Sequence, residues 1–220
     1  MPGKIIIPKT EMAVLENAAL VAFPYKVQAR VYGVIGPGCF RVECVEFGIP
    51  MDVNALAESR TFEEYAGRCE RTPHFDALRS EIERNADRFG TFRECQRRRH
   101  EKECGKDAPD SDCMQECDSY ADPGILGLYD IPFGSHDGAF FAGWHAHPTS
   151  VYGPVERLAK PCDGDSMRVR QLIMSQTHIV GEMITAVSDG GEILTRAYEP
   201  PRGLRITDPL DRKEVEIEIA

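Results

Sequence analysis

The chain has 220 residues, 26 of them Lys or Arg against 36 Asp or Glu, for a net charge of −10 at pH 7. That length supports one domain with a real core plus an insertion, and so acidic a surface works against binding phosphate backbones, so nucleic acid is not an expected partner. No apolar run approaches the roughly eighteen residues of a membrane span, so no membrane association is expected.

The opening segment, Met1-Pro2-Gly3-Lys4-Ile5-Ile6-Ile7-Pro8, is too short in its apolar part for a secretory signal and reads as a first strand. A cytoplasmic location with reduced thiols is therefore expected, and the eight cysteines become candidates for metal binding or packing rather than a disulfide frame. Residues 12–23 carry Met12, Leu15, Ala19 and Ala22 at helical spacing and stop before Pro24, which predicts an amphipathic helix. Residues 26–35 and 39–47 are strand-like and flank Gly36-Pro37-Gly38, a hairpin signal.

An insertion is expected over about 53–122 of a single domain spanning 1–220. Residues 61–71 and 75–104 are charged and helix-forming, and the dense run at 96–102 reads as a solvated helix face. Cys95, His100, Cys104, Cys113 and Cys117 lie close together in sequence. They either form a second, structural zinc site or are unrelated cysteines of a charged helical arm, and the spacings favour the arm. An insertion carried on a rigid scaffold is also where partner-protein contacts are expected. Residues 105–112 are loop by composition. Residues 125–131 and 138–144 are strand-like, 166–175 helical, 178–187 and 192–198 strands around a Gly190-Gly191 turn, and 213–219 a final alternating strand. The pattern is α+β.

The chemistry concentrates at His145-Ala146-His147-Pro148, which ends an apolar run, and at the later string Pro161-Cys162-Asp163-Gly164-Asp165. Histidines at i and i+2 on a strand point to one face. An aspartate from the next element can complete three zinc ligands with one open position, the layout of a catalytic rather than a structural zinc. The string resembles the JAMM (JAB/MPN) metalloprotease motif, H-x-H-P followed by P-S-x-x-D. The resemblance covers roughly residues 10–50 and 125–200. It implies a JAB/MPN-like (cytidine-deaminase-like) mixed sheet flanked by helices, here with a charged helical Cys-containing insertion.

It also implies zinc held by His145, His147 and Asp165, with Asp163 as the rival third ligand, and hydrolysis of amide bonds by a zinc-activated water. The implied substrate is a protein or peptide, including ubiquitin-like protein conjugates. Cys162 stands where the family has an oxyanion-stabilising serine, and Arg30, in Arg30-Val31-Tyr32-Gly33, stands where it has the glutamate that takes the water's proton. Arginine cannot accept a proton at neutral pH. With Pro37 and Gly38 as a two-residue turn, Arg30 pairs with Val45 and Tyr32 with Glu43. Glu43 then shares the Arg30 face and becomes the expected base, while Glu46 faces away. A one-residue slip would exchange the two glutamates. The alternatives are a catalytically inactive MPN-type binding or scaffold module, and a thiol hydrolase that pairs Cys162 with His145 or His147.

Overall fold

The computed structural model describes residues 2–69, 139–148, 155–161, 178–188, 190–201 and 212–220, single positions within 73–83, Asp165, Val169 and the strand at 125–126. In chain order the elements are β1 (Lys4–Ile7), α1 (Lys9–Ala22), β2 (Lys26–Gly36), β3 (Cys39–Phe47), α2 (Val53–Ala57), α3 (Phe62–Cys69), β4 (Ile125–Leu126), β5 (Phe140–Pro148), a short helix Val155–Leu158, β6 (Ile179–Val187), β7 (Ile193–Tyr198) and β8 (Glu214–Ile219). The first strand, the helix, the hairpin and the last three strands stand within a few residues of where periodicity and turn residues place them.

Their assembly differs from expectation. The strands run β3-β1-β8-β7-β6-β5-β2, and β2 pairs again with β3, which closes seven strands into a ring; β4 adds to the start of β2. The fold is a closed mixed β-barrel with few helices, not a JAB/MPN-like, cytidine-deaminase-like sheet flanked by helices. Closure is a long-range property. It depends on β1 lying parallel between β3 and β8, with Ile5 opposite both Phe40 and Ile217. It also depends on the long β2, which pairs with β5 over Gln28–Gly33 and with β3 over Ala29–Gly36. Local periodicity carries none of this information, and a closed ring leaves no open edge among its members.

The two faces of β2, β5 and β6 carry different chemistry because strand side chains alternate. Val27, Ala29, Val31, Ala142, Trp144, Ala146 and Met183 join the main core with the buried side of α1. Trp144 is fully buried, and its indole N–H donates to Thr185 Oγ1 at 2.8 Å. The opposite face presents Gln28, Arg30, His145, His147 and Glu182, all buried. Part of the stretch expected as an insertion belongs to the core: Ala55, Leu56, Tyr65, Cys69 and Leu78 are buried in the main cluster. Asp52 caps α2 by accepting from the backbone N–H groups of Asn54 and Ala55. Cys95, His100, Cys104, Cys113 and Cys117 lie outside the described residues. Among those described, no helix is long and apolar enough to cross a membrane.

Candidate metal centre

His145 and His147 sit on β5, two residues apart, so both rings leave the same face. Asp165 reaches them from a helical position. Val169, also helical and four residues on, is buried against Tyr32, Phe141 and Ile179. The i,i+4 relation puts the carboxylate and that apolar anchor on one helix face. His145 Nε2 lies 3.2 Å from Asp165 Oδ1, His147 Nε2 lies 3.5 Å from Asp165 Oδ2, and the two ring Nε2 atoms are 2.9 Å apart. All three side chains are nearly buried, 4%, 6% and 12% exposed.

These separations fit a cation. A tetrahedral site with bonds of about 2.0–2.1 Å has ligand edges of about 3.3 Å, and the three observed edges bracket that value. The group of His145, His147 and Asp165 could hold a metal ion.

The surroundings orient both rings for that task. His147 Nδ1 lies 2.7 Å from the carbonyl oxygen of Leu158 and must donate to it, which leaves Nε2 as a bare lone pair facing the centre. The Leu158 carbonyl is placed by the short helix, which buries Val155, Leu158 and Ala159 against Ala186. Tyr198 Oη donates to the Ala159 carbonyl at 2.7 Å and fixes the end of that helix. His145 Nδ1 lies 3.4 Å from Glu182 Oε1. Glu182 is fully buried, and its other oxygen pairs with Arg212, whose Nε donates to the Glu199 carbonyl. A histidine whose second nitrogen faces a carboxylate or a carbonyl is the usual arrangement behind metal-ligating rings.

The electrostatics agree. Burial works against charge on His145, but Asp165 and Glu182 outweigh it and raise the imidazole above its ordinary value. Burial likewise opposes ionisation of Asp165, yet the two histidines hold its carboxyl well below the usual carboxylate range. Glu182 is also held low against burial, by Arg212 first and then His145. Without a proton or a cation between them, two bare ring nitrogens and a carboxylate would face one another across a buried space.

His145, His147 and Asp165 thus come together as their spacing implies. Cys162 and Asp163 lie outside the described residues. Glu43 does not join the group, because the hairpin register behind its assignment is corrected by a bulge. Ile35 does pair with Phe40, but the ladder slips at Tyr32/Gly33, so Tyr32 meets Cys44 and Arg30 meets Glu46. Glu43 is the extra residue and is exposed; Glu46, not Glu43, shares the face of Arg30. The bulge has a local cause: a Cβ on Gly33 would lie 1.9 Å from the Arg41 carbonyl oxygen, so the backbones approach there as only glycine allows. Glu182 and Arg212 escaped the sequence reading. A single glutamate inside the apolar run Ile179-Val180-Gly181-Glu182-Met183-Ile184 was the available signal for the first; nothing near Arg212 marks it.

No family model matches the chain, and no curated protein matches it. Among solved structures, the solution structure of protein DSY2949 from Desulfitobacterium hafniense is similar over 98% of this chain and 92% of that one, with 13% identity and a TM-score of 0.40. Likeness at that level supports no statement about this chain's activity.

Proposed function

We propose that this protein is a zinc-dependent hydrolase of amide bonds in a peptide or protein substrate, a class that includes ubiquitin-like protein conjugates. The observation that carries the reading is the donor set. It comprises two imidazoles and one carboxylate, all nearly buried, with His147 Nδ1 donating to the Leu158 carbonyl and His145 Nδ1 lying 3.4 Å from the Glu182 carboxylate. Mixed N and O donors, three in number, suit zinc with one position left for water or substrate. Zinc bound there supplies Lewis acidity and a water acidified to near neutrality, so a nucleophile is present at cellular pH without a strong carboxylate base.

The chain's own residues have separable roles in this reading. In this reading His147 and His145 are ligands; the Leu158 carbonyl sets the tautomer of His147, and Glu182 places its negative charge 3.4 Å behind the His145 ring. Asp165 adds the negative charge that offsets the cation. Trp144 and the main core behind β5 hold the ligand strand in place. Hydrolysis adds the water oxygen to the acyl carbon and breaks the C–N bond, and the departing nitrogen gains a proton.

A second reading is favoured by one observation: Arg30, not a carboxylate, occupies the β2 position beside the ligand strand, opposite Gly143. On that reading the protein is a metal-binding module without catalysis. The experiment that decides is metal analysis of the purified protein followed by peptide and conjugate cleavage with and without chelator. About one equivalent of zinc with chelator-sensitive cleavage supports the hydrolase. Zinc without cleavage of any amide leaves the binding module. Absence of bound metal at micromolar zinc refutes both.

A further inference from the structure

A line of side-chain hydrogen bonds crosses the protein on the core side of the metal-ligand strand. Trp144, between Gly143 and His145 on β5, is fully buried, and its indole N–H donates to Thr185 Oγ1 on β6 at 2.8 Å. Thr185 is fully buried too and stands opposite Ala146, the residue between the two ligand histidines. Its hydroxyl lies 2.9 Å from that of Thr195, its partner on β7. Thr195 in turn donates to Glu16 Oε1 on α1 at 3.3 Å. The line ties three neighbouring strands to one helix and ends on a half-buried carboxylate.

The two ends fix the direction of every bond between them. An indole N–H only donates, an ionised carboxylate only accepts, and a hydroxyl has a single proton. Thr195 gives its proton to Glu16, so the bond between the threonines uses the proton of Thr185, whose oxygen accepts from Trp144. Bonds that run one way polarise one another, and inside a protein each is stronger than in water. Burial pushes the Glu16 carboxyl up, while the Thr195 hydroxyl and then Arg60 pull it back toward the charged form. Without the carboxylate, one hydroxyl proton of the line loses its acceptor beside the ligand strand, which is costly for a buried group. Trp144 has a second constraint in Phe47, which meets its ring edge-on with centres 6.0 Å apart. Packed and bonded in this way the indole has one seat, and the backbone that carries it also carries His145.

We propose that Glu16 is a positioning residue for the metal centre, acting through Thr195, Thr185 and Trp144 to fix the stretch of β5 that bears His145 and His147. The consequence for zinc rests on the metal-centre reading; the placement of the indole and of the two imidazoles does not.

Trp144 is the only tryptophan of the chain, so its indole N–H gives one isolated proton resonance. Glu16→Leu and Thr195→Val break the line. Glu16→Gln keeps an acceptor oxygen and Thr195→Ser keeps the hydroxyl, so these are the conservative counterparts. Val14→Ala, a buried position of α1 two residues from Glu16 and so on another face of the helix, controls for lost stability alone. In the metal-free protein the two breaking variants are expected to move the indole resonance and the ring resonances of His145 and His147. They are also expected to lower zinc affinity about three- to tenfold, less than loss of an acceptor in direct contact with a ligand ring. The conservative variants and Val14→Ala are expected to match the parent in both readouts. Zinc affinity within about twofold of the parent in both Glu16→Leu and Thr195→Val overturns the proposal. So does an equal loss in Val14→Ala, which would make the effect one of stability. If the parent binds no zinc, the metal-centre reading fails by itself, and the imidazole resonances of the metal-free variants decide the positioning role: displaced rings support it and unmoved rings overturn it.

Discussion

Replacement of Glu182 by glutamine separates two jobs that one buried carboxylate performs. Its Oε1 stands 3.4 Å from His145 Nδ1, and its other oxygen pairs with Arg212. Both partners of the ion pair are 0% exposed, so solvent screens neither. Removing the charge leaves Arg212 buried without a counter-ion, which costs about 3–5 kcal/mol in such pairs. Glutamine keeps one oxygen for the guanidinium, so about 3 kcal/mol is expected. For a chain of this size that lowers the unfolding midpoint by roughly 6–12 °C. Loss of the acceptor behind a metal-ligating histidine lowers metal affinity about 10- to 100-fold, equal to roughly 1.4–2.7 kcal/mol. Thermal unfolding of the metal-free protein reads the first effect, and zinc competition against a chromophoric chelator reads the second. A double variant, Glu182→Met with Arg212→Met, is expected to regain much of the stability while its zinc affinity stays low, because apolar residues of similar volume can replace a buried pair. If Glu182→Gln binds zinc within about twofold of the parent, Glu182 serves Arg212 alone and the orienting role assigned to it is wrong.

Other outcomes follow from the same geometry. His145→Ala, His147→Ala and Asp165→Ala are each expected to remove most bound zinc, because a three-ligand site tolerates no such loss; full metal content in all three at low zinc would place the metal elsewhere. Zinc affinity is expected to fall with falling pH from above the ordinary histidine range, since His145 is raised in the metal-free protein and must shed its proton to bind. Calorimetry in buffers of different ionisation enthalpy should accordingly detect proton release near pH 7. The metal-free protein should show the opposite trend: the stabilisation from charged His145 is complete below its unfolded value and is lost as pH rises through the raised folded value. Denaturant unfolding at several pH values tests that sign. Gly33→Ala should destabilise by about 3 kcal/mol or more, because its methyl would meet the Arg41 backbone rather than a movable side chain; an unchanged urea midpoint would contradict the bulge.

The parts legible in sequence were those governed by near neighbours. The hairpin declared itself through Gly36-Pro37-Gly38, and Gly38 indeed has a positive φ of 72°. The HxH pair needed only the two-residue repeat of a strand, whereas the choice of Asp165 over Asp163 came from the resemblance to the H-x-H-P and P-S-x-x-D motif. The barrel was not legible, because β1 has no local mark showing that it will lie between β3 and β8. The glutamate assignment failed for a reason of scale. One extra residue in β3 exchanges the faces of everything beyond it, and the cause, the close approach of Gly33 to the Arg41 backbone, exists only once the two strands are paired. Glu182 and Arg212 are far apart in sequence, and their partnership is a product of packing.

The closed ring also dictates an order of events during synthesis. The ligand strand β5 and its neighbours β2 and β6 can pair as soon as β6 has emerged, but β1 must wait for β8. Lys4 finds its partner Glu216 only when almost the whole described chain is available. Contacts of such long sequence separation slow folding. Until they form, β1 and β7 present unpaired backbone to any other chain nearby. The histidine rings can therefore be in place before the barrel is shut. A metal ion that the His145, His147 and Asp165 group can hold would, on binding the assembled strands, favour the arrangement of β5 from which closure proceeds.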